Sequence, residues 1–188
     1  GIAARHEAGY IGAMLFVIPG FPFITSMLDI SKQDMRSGME RLLYALMITI
    51  VASLVGWLVA MVVHLRPENF VDLGLSPILL LVYRLIASFC GVFGFSVMFN
   101  SPRRMAIQAG LIGAVANTLR LELVDLNTIP PAAAAFIGAL VAGLIASAIN
   151  RVDGYPRISL TVPSIVIMVP GLYIYRAVYK IGRASVGK

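Results

Sequence analysis

The chain has 188 residues, 59% hydrophobic and only 13% charged, with a net charge of +6. Soluble domains run near half apolar and about a quarter charged, so this composition excludes an ordinary soluble core and indicates a membrane protein, with room for about six spans of twenty residues. The basic residues sit mostly in short connections between apolar runs, which suits anchoring at an inner leaflet, and they form no stripe of the kind a nucleic acid requires. Cys90 is the single cysteine, which excludes an intrachain disulfide. His6 and His64 have no ligand partners at useful spacing, and no metal or other cofactor is expected.

Six apolar runs follow one another. The first, about 8–28, is interrupted by Pro19-Gly20 and Pro22, and a charged stretch, 29–41, follows it. The second covers 42–65, long enough to span. A polar loop, 66–76, ends at the helix-start signal Ser76-Pro77. The third run is 77–99, and Asn100-Ser101-Pro102-Arg103-Arg104 then turns the chain, caps a helix and meets anionic lipid. The fourth is about 105–121, the fifth 131–149, and the sixth about 158–176 with Pro163 and Pro170-Gly171 inside. The fold expected is an all-α integral membrane protein of about six hydrophobic helical segments.

Small and polar residues mark packing faces. Thr49, Ser53, Gly56 and Ala60 line one face of the second run. Ala106, Ala109, Gly113, Asn117 and Arg120 line one face of the fourth, and Ala135, Ala139, Gly143 and Ser147 recur at every fourth position of the fifth. Such spacing lets helix backbones approach closely in lipid. Asn117 and Arg120 ask for more, because polar groups inside a span need partners.

Loop charge bears on topology. If all six runs cross, seven basic residues in loops lie on one side and six on the other. If the two Pro-Gly runs fold back, only Arg66 remains opposite, and the positive-inside rule prefers that arrangement. The composition leaves kinked spans and re-entrant segments both open.

The two Pro-Gly pairs form an internal repeat. An apolar run precedes each, and aromatic residues follow: Phe21 and Phe23 in one, Tyr173 and Tyr175 in the other. A charge stands nine positions after each glycine, Asp29 and Lys180. Duplicated broken helices are a recurring plan of secondary transporters, and two simple kinks in a bundle are the plainer reading.

The segment "IPGFPFITSMLDISKQDMRSGMERLLYAL" resembles the end of the first domain of the bacterial threonine/serine exporter family. "FGFSVMFNSPRRMAIQAGLIGAVANTLRLE" and "YPRISLTVPSIVIMVPGLYIYRAVY" resemble its second domain. The family includes a two-protein succinate exporter whose subunits resemble the two domains separately. The resemblance implies residues 1–66 as the last helices of a first transporter domain, 67–76 as a connecting loop and 77–188 as a second domain. It also implies further spans before Gly1 and one after Lys188, so that this chain alone is an incomplete transporter.

The resemblance implies export of a small carboxylate-bearing solute across the bacterial inner membrane, driven by the proton motive force. Intramembrane Arg84 and Arg120 are the candidate carboxylate holders, since a guanidinium grips a carboxylate in bidentate fashion. The plainer readings are snorkelling for Arg84 and pairing with Glu122 or Asp125 for Arg120. Pro19, Gly20, Pro170 and Gly171 would shape the site through helix N-termini that favour an anion. Thr25, Ser26 and Asn117 offer hydroxyl and amide groups, and Tyr175 a phenol that serves substrate or an interfacial belt. Asp29 is the acidic candidate for a substrate amine or a coupling proton, with an N-cap or interface charge as its plainer role.

The leading expectation is a secondary exporter of threonine and serine. A dicarboxylate exporter is the alternative, and a non-transporting membrane scaffold or assembly subunit is the alternative of another class. No Ser/His/Asp or Cys/His constellation suggests an enzyme. The partners expected are the small solute, the lipid bilayer, a coupling proton, and a second copy or a partner transporter subunit; nucleic acid is not among them.

Overall fold

A computed structural model describes residues 2–64, 74–126 and 129–169, together with Tyr173, Ala177, Lys180 and Ile181; of residues 2–8 it describes the backbone. The described segments are helical, and they divide into two compact units.

The first unit holds α1 (Ile2–Val17), α2 (Gly20–Ser31) and α3 (Met35–Val62). Pro19 separates α1 from α2, as expected of a residue that disfavours helix in the position before it. Pro22 falls in the first turn of α2, where a missing N–H costs little because first-turn donors have no intrahelical acceptor. The Pro-Gly pair therefore breaks the first run, and Pro22 does not break it again.

The charged stretch 29–41 is mostly helix, not loop. α2 closes with Gln33 in the left-handed region, φ 67°. Asp34 N–H reaches Asp29 O at 3.0 Å and Gln33 N–H reaches Ile30 O at 3.0 Å, the paired bonds of a Schellman closure. Asp34 then caps α3, its Oδ1 accepting from Ser37 N–H at 3.3 Å. The Ser37 hydroxyl first, and then its N–H, hold the Asp34 carboxyl below its ordinary value. Gly38 lets α2 and α3 touch: a Cβ there would meet Ile30 Cγ1 at 2.5 Å and Ser26 O at 3.0 Å. Along α3 the expected face is the buried one, with Thr49, Ser53, Gly56 and Ala60 all inside. Gly56 admits α1, since Met14 lies where its Cβ would stand and Tyr10 OH donates to Gly56 O.

The second unit holds α4 (Pro77–Met98), α5 (Arg103–Asp125), α6 (Pro131–Asp153) and α7 (Arg157–Val166). Ser76 caps α4 through Leu79 N–H, and Pro77 opens it, as the sequence signal predicts. Asn100, at φ 59°, closes α4 in a second Schellman turn, with Ser101 N–H on Ser96 O at 3.1 Å. Gly154, at φ 72°, ends α6.

α5 is the axis of this unit and packs against α4, α6 and α7. Ala106, Ala109, Gly113 and Asn117 are buried as the spacing predicts. Among the described residues, four helical stretches are long and apolar enough to cross a membrane: Gly9–Ser31, Met35–Val62, Pro77–Met98 and Pro131–Asp153. The fourth run, α5, is not among them, and neither is the ten-residue α7. Packing explains the lower apolarity of α5: a helix covered on three sides meets lipid along one stripe alone. That stripe is large and apolar, Ile107, Leu111, Val115 and Leu119, all exposed.

The fifth run corrects the expected face by one position. Ala134, Gly138, Ala142 and Ala146 are buried on α6, while Ala135, Ala139, Gly143 and Ser147 are only partly covered. A Cβ on Gly138 would stand 3.1 Å from Ala116 O and 3.2 Å from Met168 Sδ, whereas one on Gly143 meets nothing within 4 Å. Both quartets are small, so spacing alone could not choose between them; the packed neighbours do. In lipid the association of such faces rests on close van der Waals packing rather than on hydrophobic burial.

Candidate functional site

In the first unit, Pro19 and Gly20 sit at the α1–α2 break. Gly20 N–H already donates to Ile18 O at 2.8 Å, and Pro22 has no N–H to offer. The anion-facing donors expected after Pro-Gly are reduced accordingly. Thr25 Oγ1 donates back to Phe21 O at 3.1 Å, and Ser26 Oγ to Phe23 O at 2.8 Å. Ser26 is fully buried. Asp29 Oδ2 lies 2.9 Å from Arg41 Nη1, a charge contact without hydrogen-bond alignment. Asp29 is thus an ion-pair partner across the α2–α3 hairpin, and Asp34, five residues on, is the N-cap.

Arg84, Asn117 and Arg120 all lie in the second unit, Asn117 bonded to Arg120 and Arg84 paired separately with two acids. α4 and α5 run antiparallel, so Arg84, Ser88 and Val92, each four residues apart, face positions descending along α5. Val92 packs where a Cβ on Gly113 would be. One turn away, Asn117 Nδ2 donates to Ser88 Oγ at 2.9 Å, and both residues are buried. Asn117 Oδ1 accepts from Arg120 Nη1 at 3.1 Å. At the end of the seam Arg84 Nη1 donates to Glu122 Oε1 at 2.7 Å, and Arg84 Nη2 pairs with Asp125.

Two sequence readings change here. Arg84 does not snorkel: its side chain is 16% exposed and is gripped by two carboxylates. Glu122 and Asp125, the acids expected beside Arg120, are engaged by Arg84. Ser88, Glu122 and Asp125 are the members of this network that the sequence reading did not select. Ser88 had a signal, since it stands one turn after Arg84 and both fall on the seam. The acids had none beyond their closeness to Arg120, because partner choice across helices is not written in local spacing.

The four charges, Arg84, Arg120, Glu122 and Asp125, sum to zero, which is what a low-dielectric environment requires of ionised groups. The guanidinium, amide and hydroxyl groups are donors suited to a carboxylate, and the acids are acceptors suited to an ammonium. Pro170, Gly171 and Tyr175 lie outside the described residues.

Comparison with known proteins bears on both parts of the chain. Residues 84–186 match the family described as "Threonine/Serine exporter, ThrE", and residues 1–64 match a second threonine/serine exporter family model. An uncharacterized protein of Haemophilus influenzae is 25% identical over 130 residues, which is 68% of this chain and 43% of that protein. The chain thus spans less than half the length of that relative. No solved structure matches it. Matched along most of its length and carrying, among the described residues, four helical stretches long and apolar enough to cross a bilayer, the chain belongs to the threonine/serine exporter family as a multi-pass protein of the inner membrane.

Proposed function

We propose that the chain contributes the second-unit half of a solute site to a secondary exporter of threonine and serine, driven by the proton motive force. In this reading residues 1–66 and 77–188 belong to its first and second transporter domains. The observation that carries the reading is the buried Ser88–Asn117 pair with half-buried Arg120 donating to Asn117, beside the Arg84 ion pairs, on a helix too polar to face lipid around its whole circumference. Arg120 would hold the substrate carboxylate, with Asn117 fixing its guanidinium. A zwitterionic amino acid adds one charge of each sign to a neutral cluster, whereas a dicarboxylate adds two negative charges beside two acids. Charge balance therefore favours the amino acid over succinate.

The test is flux through proteoliposomes that hold the full-length protein. Labelled threonine moves down an imposed gradient, excess serine competes and excess succinate does not, and a protonophore collapses concentrative transport. Arg120→Ala abolishes the flux while its circular dichroism stays helical. Wild-type flux in that variant removes Arg120 from the site.

A further inference from the structure

We infer that the end of the second unit where α4 turns into α5 and α6 turns into α7 is an arginine rim that binds anionic phospholipid headgroups of the cytoplasmic leaflet. The two turns come together in space. Arg104, at the start of α5, lies 3.5 Å from Asp153 at the close of α6. Gln108, one turn further along α5, donates to the other Asp153 oxygen. Residues 97–108 and 149–158 therefore form one end of the unit, and their charged side chains are Arg103, Arg104, Arg151, Arg157 and Asp153.

This rim carries more positive charge than its own contacts use. Asp153 is its single acid, and Arg104 and Gln108 already occupy both of its oxygens. Among the described residues Arg103, Arg151 and Arg157 pair with no carboxylate. All four arginines are exposed. Arg151 and Asp153 stand two residues apart on one helix, so they occupy different faces of it. The arginines thus surround the end of the unit instead of converging on one pocket. That arrangement suits several headgroups at a flat surface, not a single soluble anion.

The apolar neighbours say which surface it is. Ile107 lies one turn from Arg103, and Val152 and Ile158 stand next to Arg151 and Arg157; all three are exposed, Val152 at 85%. At a bilayer interface an arginine head reaches the phosphates while its stem and such neighbours stay among acyl chains. The opposite end of the unit has no such rim. In sequence, residues 126–130 between α5 and α6 carry no charge, and Arg84, Arg120, Glu122 and Asp125 balance one another. Basic excess marks the short cytoplasmic connections of membrane proteins, and the cytoplasmic leaflet supplies the anionic lipid. Arg120 stands about 25 Å along α5 from Arg103, at ~1.5 Å per residue. The Asn117–Arg120 pair then lies in the outer half of the bilayer.

The test has two arms, both on the full-length protein. Native mass spectrometry from nanodiscs of mixed phosphatidylglycerol and phosphatidylcholine reads which lipid stays bound. Wild-type protein retains phosphatidylglycerol in preference. Each of Arg103→Gln, Arg151→Gln and Arg157→Gln lowers that preference about fivefold, the share of one basic residue at an anionic surface. Lysine at the same positions keeps it, because the attraction is one of charge. Wild-type protein that retains both lipids alike overturns the assignment, and so does a folded triple variant Arg103→Gln/Arg151→Gln/Arg157→Gln with the wild-type preference.

The second arm does not depend on those variants folding. In a background free of other cysteines, an impermeant maleimide added to intact spheroplasts labels Leu126→Cys and leaves Ser101→Cys unlabelled until the membrane is opened. Labelling of Ser101→Cys in intact spheroplasts puts the rim on the outer face and overturns the assignment. Neither arm involves threonine, so either result leaves the exporter reading to its own flux test.

Discussion

Arg84 and Glu122 face each other at 2.7 Å across the α4–α5 seam, the guanidinium mostly buried and the carboxylate half-open. Because Asp125 takes the second nitrogen, the two helices are tied at this end by charge as well as by packing. Replacing Arg84 with Met removes the cation and strands two acids that can still reach solvent. The expected loss lies between that of a surface pair and that of a buried one, about 1–3 kcal/mol. Unfolding by SDS in mixed micelles measures it, and the exchanged pair Arg84→Glu/Glu122→Arg recovers part of the loss.

Gly138 and Gly143 give a paired test of the face that α6 buries. Gly138→Ala pushes a methyl toward Ala116 O and the Cβ of Arg120, both about 3 Å away, and destabilises by about 1–2 kcal/mol. Gly143→Ala has open space and is neutral or gains up to about 1 kcal/mol from helix propensity. If Gly143→Ala proves the more damaging in the same unfolding measurement, the packed face is the one the spacing first suggested.

Gly38→Ala brings Cβ against Ile30 Cγ1 and two backbone atoms of α2. The side chain could turn aside, but the backbone atoms could not, so the α2–α3 hairpin opens. The expected destabilisation is about 1–3 kcal/mol. Faster hydrogen exchange confined to the α2–α3 turn identifies the cause.

The Asn117–Ser88 bond joins two buried side chains. Asn117→Leu removes it together with the bond that Arg120 makes to Asn117 Oδ1, at a stability cost of about 0.5–1.5 kcal/mol, the scale of hydrogen bonds between membrane helices. The larger effect is on transport: flux falls at saturating threonine, since the guanidinium is still present but has lost the contact that orients it toward Asn117.

Asp34 supplies a pH test at the α2–α3 turn. The Ser37 bonds lower its folded-state carboxyl below the unfolded value. Its contribution is therefore present above the unfolded-state titration, near pH 4, and fades as pH falls through the lower folded value. Asp34→Asn keeps the cap and loses this acid sensitivity; Asp34→Ala loses the cap at every pH. Local hydrogen exchange at Ser37 between pH 5 and 2, corrected for intrinsic rates, reads both effects.

Composition and local chemistry settle much of this protein before any fold is known. The excess of apolar residues makes it a membrane protein, Pro19 breaks the first run, Ser76-Pro77 starts α4, and Thr49, Ser53, Gly56 and Ala60 occupy the buried face of α3. These follow from interactions within a turn or two of chain, where residue type and spacing are the physics. Tertiary structure decided what depends on neighbours from elsewhere in the chain. It chose the 134–138–142–146 face of α6 over an equally small one beside it, because Ala116 and Met168 pack there. It made α5 the axis of the second unit, so a helix built on a run counted as apolar could carry five charged residues near its ends and two amides within. It gave Glu122 and Asp125 to Arg84 rather than to the nearer Arg120, because an ion pair is fixed by where two helices cross and not by distance along one of them.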